Sequence, residues 1–235
     1  MTWSIIARDP PTRAFGIAVA TRFFAVGALC PHARSEVGAL CTQALINPTY
    51  GPSGLKLLSE GMPAPEVVRR LTAADPGAAH RQLHVMDRAG RTAAHTGSAC
   101  VGWCGDIHAE DYSIAGNMLA GPAVLEATAA AFTSHADRPL ADRLIHALEA
   151  GEAAGGDKRG KQSAALMIHS TEDYPDLDLR VDDHADPLAE LRRLYGVSES
   201  YFSLFKRFLP TRAHPAGVYD RAVIEAGIKA ALASR

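Results

Sequence analysis

Residues 1–22 read MTWSIIARDPPTRAFGIAVATR, and their pattern is that of a β-hairpin. TWSIIAR mixes β-branched and aromatic residues, and DPPTRA supplies turn chemistry. FGIAVATR then alternates Phe15, Ile17, Val19 and Thr21 with Gly16, Ala18, Ala20 and Arg22. The second strand therefore has one bulky face and one face of small residues. Position 2 adds chemistry. A small second residue permits removal of Met1, after which Thr2 would present a free α-amine beside its hydroxyl, a nucleophile with its own base.

Working outward, GALCTQAL at 38–45 reads as a third strand, and PTYGPSG breaks the pattern. LKLLSEG and PAPEVVRRLTAAD read as two short helices, with Pro63 and Pro65 at the start of the second, where a missing amide donor does least harm. RQLHVMDRAGRTAAHTG reads as a second hairpin turning around Ala89 and Gly90, and YSIAGNML as a further strand. Two longer helices follow, GPAVLEATAAAFTS and PLADRLIHALEAG, the latter with Leu140, Leu144, Ile145 and Leu148 at helical spacing. SAALMIHS and DLDLRV close the strand list. Helices arriving in pairs between groups of strands do not suit a singly alternating parallel sheet. They suit stacked antiparallel sheets with a helical hairpin on each outer face.

From about residue 186 the chain reads as helical, which divides it into a main domain over 1–185 and a helical extension over 186–235. Tyr201, Phe202, Leu204, Phe205, Phe208 and Leu209 are more apolar surface than a lone helix leaves wet. The extension is expected to pack on the main domain or on another subunit, or to offer a face to a partner peptide.

Composition narrows the function. With 47% apolar residues in 235, the chain can bury a sizeable core. Its 26 acidic and 24 basic residues nearly cancel, and no basic run carries interleaved aromatics, which excludes a nucleic-acid footprint. A small-molecule partner is expected. No basic start followed by a long apolar run is present, so the expectation is a cytoplasmic protein without a membrane span. Cys30, Cys41, Cys100 and Cys104 read as free thiols, and the C-x-x-x-C spacing of the last two is neither the redox nor the zinc spacing.

Several apparent motifs do not hold. GGDKRGKQS has the glycine and lysine spacing of a phosphate loop, yet Gln162 stands where Ser or Thr should bind magnesium, and a helix precedes where a strand should. The segment is either a surface turn or a turn whose Asp157, Arg159, Gln162 and Ser163 face a pocket. GPSG around Ser53 lacks the nucleophile-elbow spacing. His80 and His84 have a zinc-compatible helical spacing, but on a strand they would stand roughly 13 Å apart. Asp176, Asp178, Asp182, Asp183, His184 and Asp186 lack the order of a calcium loop and read as a solvated turn and helix N-terminus, or as a site for a divalent cation or a cationic substrate. No metal and no cofactor is expected. Arg22, Gln43, Asn47 and Asn117 are candidate buried polar groups. Asn117 either satisfies a turn or points its amide at a developing oxyanion.

MTWSIIARDPPTRAFGIAVATRFFAVGA, TQALINPTYGPSGLKLL, AGNMLAG, GGDKRGKQSAALMI and DLRVDDHADPLAELRRL together resemble the DUF1028 family, over roughly residues 1–195 and in order. That family comprises bacterial and archaeal proteins of uncertain function with an N-terminal-nucleophile hydrolase-like fold. The resemblance implies an α+β fold, a four-layer αββα sandwich of mostly antiparallel sheets. The opening hairpin is also similar to that of a proteasome-type β subunit. It departs from that pattern in having Ala20 where an Asp precedes Thr-Arg, and no lysine before Lys56. Some members carry a peptidoglycan-binding module, which this tail does not match.

The resemblance further implies Thr2 as nucleophile and Asn117, with a backbone N–H near Gly116, as oxyanion donor. Arg22, Gln43, Asn47, Tyr50, Asp157, Arg159, Gln162 and Ser163 would bind a polar or carboxylate-bearing substrate. The implied activity is hydrolysis of a small amide, ureido or peptide-like C–N bond by a homodimer or higher homo-oligomer. Two alternatives stay open: a noncatalytic ligand-binding or assembly protein, and an enzyme using Cys41 or Ser163 instead.

Overall fold

A computed structural model describes residues 2–233. The opening hairpin forms as β1 (Thr2–Arg8) and β2 (Phe15–Thr21), paired antiparallel with Thr2 opposite Thr21. Its turn is held by Asp9, whose carboxylate accepts the Thr12 amide at 3.2 Å and whose carbonyl accepts the Arg13 amide at 2.7 Å.

The hairpin lies in the middle of a six-stranded antiparallel sheet. Outside β2 stand β9 (Ser163–His169) and β10 (Leu177–Val181); outside β1 stand β8 (Tyr112–Leu119) and β7 (Trp103–Ala109). A second antiparallel sheet runs β3 (Pro31–Arg34), β4 (Gly38–Ala44), β5 (Arg81–Asp87), β6 (Thr92–Thr96). Helices α1 (Tyr50–Ser59) and α2 (Ala64–Ala73) cover the second sheet, while α3 (Ala123–Ser134) and α4 (Leu140–Ala153) cover the first. The chain is therefore an α+β, four-layer αββα sandwich.

Two strands were not anticipated from the sequence. β3 is four residues long and begins at a proline, and β7 is a half-exposed edge strand holding Gly105, Asp106 and His108, so neither shows an apolar alternation.

Side-chain size explains how the layers meet. A Cβ on Gly16 would sit 2.5 Å from Leu144 Cδ1 and 2.9 Å from Ile168 Cδ1, so the small face of β2 is what lets α4 approach. The bulky face of β2 points inward, where Ile6, Phe15, Ile17, Val19, Ala39, Cys41 and Met86 form an apolar layer between the sheets. Leu40, Leu58, Val67, Leu71, Leu83 and Val85 form a separate cluster beneath α1 and α2.

The layer between the sheets changes character along the strands. Beyond the apolar end, the same inward positions hold Thr2, Ser4, Thr21, Gln43, Gln82, His84, Ser113 and Asn117, none more than 7% exposed. Burying this many polar groups is costly unless each is hydrogen-bonded.

Residues from Arg192 onward form a second compact unit. It takes in the end of α5 (Pro187–Val197), a π-turn over Ser198–Phe202 and a final helix, Arg221–Ala233. Within it the Val218 amide donates to the Phe208 carbonyl at 2.9 Å, and a Cβ on Gly227 would meet the Phe208 ring at 2.6 Å. Among the described residues no helix is long and apolar enough to cross a membrane.

Candidate functional site

The polar end of the inter-sheet layer opens onto a cavity of about 310 Å³. Thr2, Thr21 and Gln43 line it together with Arg81, Arg159 and a set of apolar side chains including Phe24, Leu29 and Ile46. The Thr2 and Thr21 hydroxyls lie 3.1 Å apart, a hydrogen bond across β1 and β2. An adjoining cavity of about 260 Å³ is lined by Asn117, Met118, His80 and Val101, and shares Phe23, Ala44, Leu45 and Arg159 with the first. Thr2 and Asn117 are directly paired across β1 and β8.

Period-two alternation explains why these groups converge. Thr2 and Ser4 on β1, Asn117, Ala115 and Ser113 on β8, and Thr21 on β2 occupy paired positions of one face. Gln43 and Gln82 are likewise paired on the facing sheet. Gln43 donates to Gln82 Oε1 at 2.8 Å and to the Ala115 carbonyl at 3.1 Å. Asn117 donates to the same Gln82 oxygen at 3.0 Å, which uses one of its two N–H groups.

The backbone at the cavities is strained. Ala25, Ala44 and Met118 take left-handed φ values of 53°, 68° and 56°, and all three line one or both cavities. Such conformations cost a non-glycine residue roughly 1–2 kcal/mol and concentrate where function demands a particular backbone.

The Gly155–Ser163 turn supports this end of the molecule. Asp157 is buried, and its carboxylate accepts the Arg22 amide at 3.2 Å and the Arg159 amide at 2.7 Å. It also pairs with the Arg159 guanidinium at 3.3 Å, leaving that partly exposed cation at the cavity wall. Arg22 is exposed, with its guanidinium 3.5 Å from the Arg159 carbonyl. Gln162 donates its backbone N–H to Thr21 and its side chain to Asp183, at 2.8 and 3.0 Å. Ser163 is fully buried; its hydroxyl donates to the Phe23 carbonyl at 2.5 Å and accepts the Val26 amide at 3.1 Å, pinning the loop that carries Phe23 and Phe24.

Thr2, Gln43 and Arg159 thus share one cavity and Asn117 lines its neighbour, whereas Arg22, Asp157, Gln162 and Ser163 act on the loops around them. Asn47 and Tyr50 lie elsewhere. They line a separate cavity of about 390 Å³ and donate to Asp75 at 3.0 and 2.8 Å, as does Arg81 at 3.1 Å. These donors, Asn47 foremost, hold the Asp75 carboxyl well below its ordinary range. The intervening residues 44–49 turn away from β4, which carries Asn47 and Tyr50 to the α1 side of the sheet.

Cys41 is fully buried, and burial pushes its thiol up to about 12. Both it and Ser163 are closed to a substrate in this structure. In the acidic stretch, Asp182 pairs with Arg180 and Asp186 with Lys161, at 2.9 and 3.2 Å.

Sequence reasoning passed over Thr21, Gln82, Ser4 and Ser113, and weighed His84 only as a metal ligand. The available signal was polar residues at alternate positions of strands whose other positions are apolar. Met1 lies outside the described residues, and with it the expected removal that would free the Thr2 α-amine.

Comparison with known structures gives a high similarity to protein SPO2555 from Silicibacter pomeroyi, a member of the DUF1028 family. It is 32% identical, with a TM-score of 0.86, over 93% of this chain and 99% of that one. Anbu (ancestral beta-subunit) from Yersinia bercovieri is 14% identical with a TM-score of 0.41, over 88% of this chain and 98% of that one. Comparison with curated proteins gave no match. The profile of the "Family of unknown function (DUF1028)" matches residues 2–191, and the chain belongs to that family.

Proposed function

We propose that this protein is an N-terminal-nucleophile-type amidohydrolase acting on a small amide, ureido or peptide-like C–N bond, with Thr2 as nucleophile. The observation that carries the reading is the Thr2 hydroxyl at a cavity wall, 3.1 Å from the Thr21 hydroxyl and one strand away from the Asn117 amide. After loss of Met1 the α-amine, with an ordinary pKa of about 8, would be neutral in about a quarter of the molecules near pH 7.5, and in that form would take the Thr2 hydroxyl proton. Thr2 Oγ1 would add to the carbonyl carbon, and the second N–H of Asn117 would stabilise the oxyanion. Expulsion of the protonated amine leaves an acyl ester, which water hydrolyses to regenerate Thr2.

The cavity supports a substrate with an apolar group against Phe24, Leu29 and Ile46 and an anionic or polar group toward Arg159. A noncatalytic ligand-binding protein on the same scaffold is the second reading. It is favoured by Ala20 and by the lack of any lysine before Lys56, which remove two charged groups of the similar proteasome-type hairpin.

Mass spectrometry of protein from its native host, with Thr2→Ala and Thr2→Ser assayed on an amide and ureido panel, tests the proposal. Met1 removed, turnover by wild type, reduced turnover by Thr2→Ser and none by Thr2→Ala is the expected result. A retained Met1, or full activity in Thr2→Ala, overturns it. Binding of a panel member without turnover by a Met1-free protein supports the second reading.

A further inference from the structure

A buried row of hydrogen bonds leaves the cavity and ends at the surface, and its direction can be worked out bond by bond. Backbone carbonyls only accept. Gln43 Nε2 faces the Ala115 carbonyl, and Gln82 Nε2 faces those of Gly105 and Gly116, at 3.1, 3.2 and 2.9 Å, which fixes the orientation of both amides. Gln43 Oε1 is therefore an acceptor, and Ser4 donates its one proton to it at 2.7 Å. His84 Nε2, 2.8 Å from the same Ser4 oxygen, must then be an N–H. A neutral His84 has a bare Nδ1, which takes the Ser113 hydroxyl proton at 3.0 Å. Beyond Ser113, His108 Nδ1 lies at 3.3 Å, and His108 Nε2 faces Asp106 Oδ2 at 2.7 Å, a bond in which the carboxylate accepts.

We propose that His84 is a positioning residue held as its Nε2–H tautomer, in a row that ends on the His108–Asp106 pair at the surface. Ser4, His84 and Ser113 then link the amides of Gln43, Gln82 and Asn117 at the Thr2 cavity to the surface pair as one unit, with a single permitted direction from Gln43 as far as Ser113. The functional weight of this unit rests on reading the Thr2 cavity as the working site, whereas the order of the bonds does not.

The surroundings favour this order. Burial drives the His84 imidazole down to about 3, so it stays neutral. Facing it are Cys41 from β4, the Ser4 and Ser113 hydroxyls from β1 and β8, Ala94 from β6, and His108 with Asp106 from β7. Asp106 also accepts from Thr96 at 3.3 Å, and His108 holds its carboxyl below the ordinary range. The opposite tautomer would turn Ser4 toward His84 and leave the buried Gln43 oxygen without that donor.

Long-range 15N–1H correlation spectra of the full chain, labelled in histidine and glutamine, test the proposal without any substrate. At neutral pH, His84 should show a protonated Nε2 and a bare Nδ1. Asp106→Asn should displace the His84 Nδ1 resonance. Ser4→Ala should mix the His84 tautomers and shift the Gln43 side-chain amide signals. Ser113→Ala approaches from the other side should Ser4→Ala fail to fold, and should displace the His84 Nδ1 resonance while leaving Nε2 protonated. A His84 protonated on Nδ1, or resonances of His84 indifferent to Asp106→Asn, would overturn it. Since none of these signals depends on turnover, loss of the hydrolase reading would leave them unchanged, and their loss would leave that reading standing.

Discussion

Gln82→Met is the substitution that most directly probes the polar half of the inter-sheet layer. Gln82 is fully buried and has five hydrogen-bond partners: its two amide N–H groups are shared among Thr96 Oγ1, Gly105 O and Gly116 O, and its oxygen accepts from Gln43 and Asn117. Methionine has a similar length and volume, so the cavity term is small and the loss is mainly polar. Gln43 keeps the Ala115 carbonyl for one N–H, which leaves its second N–H and that of Asn117 without their acceptor. Two buried donors at about 1–3 kcal/mol each give an expected loss of about 2–6 kcal/mol.

Urea unfolding should show this as a lower midpoint at unchanged slope. In the same strand, Met86→Leu removes no hydrogen bond and should cost less than about 1.5 kcal/mol. Adding Asn117→Ala to Gln82→Met deletes one of the orphaned donors, so the double variant should be more stable than the sum of the singles by about 1 kcal/mol or more. A loss for Gln82→Met within about 0.5 kcal/mol of zero, or strict additivity with Asn117→Ala, would refute the account of a satisfied buried network.

Asp75 offers a pH test. Its folded-state carboxyl is depressed, chiefly by the Asn47 amide, so its stabilising contribution is fully present above the unfolded carboxylate pKa and fades as pH falls through the folded value. The stability gap between wild type and Asp75→Asn, measured by denaturant titration, should be largest at neutral pH and shrink below about pH 4; a gap that does not change with pH sinks the assignment. Thiol labelling tests the core. With Cys41 pushed up to about 12 by burial, about one molecule in ten thousand would carry its thiolate at pH 8, and Cys30 is raised by the same cause. A disulfide reagent should modify the partly exposed Cys104 in the native protein and reach Cys30 and Cys41 only on unfolding. Native-state labelling of Cys41 at the rate of Cys104 would show that the inter-sheet layer opens.

Much of the fold was legible because its strands carry strong local patterns. TWSIIAR and FGIAVATR needed only β-branched residues, alternation and an Asp-Pro-Pro turn to be read as a hairpin, and paired helices between strand groups pointed to outer layers. β7 was missed because an edge strand with one face in water needs no apolar run, and Trp103–Ala109 has none. The candidate site was legible in part. Thr2 and Asn117 stood out through position and resemblance, but Gln82 and Ser4 resemble ordinary surface residues until the facing sheet is known. Tyr50 and Asn47, close in sequence to Gln43, were grouped with it because sequence proximity does not reveal that the chain turns to the other side of the sheet.

Local sequence by itself determined where strands and helices run, since backbone preference and side-chain periodicity act over a few residues at a time. Which polar side chains meet was decided only by the stacking of two sheets, because the bonds from Ser4 to Gln43, from His84 to Ser4 and from Ser113 to His84 each join strands of different sheets. Register is the physical reason. A shift of one residue in β1 would send Thr2 and Ser4 to the α4 side and bring Trp3 and Ile5 into the polar layer, and no short-range pattern in TWSIIAR carries that choice.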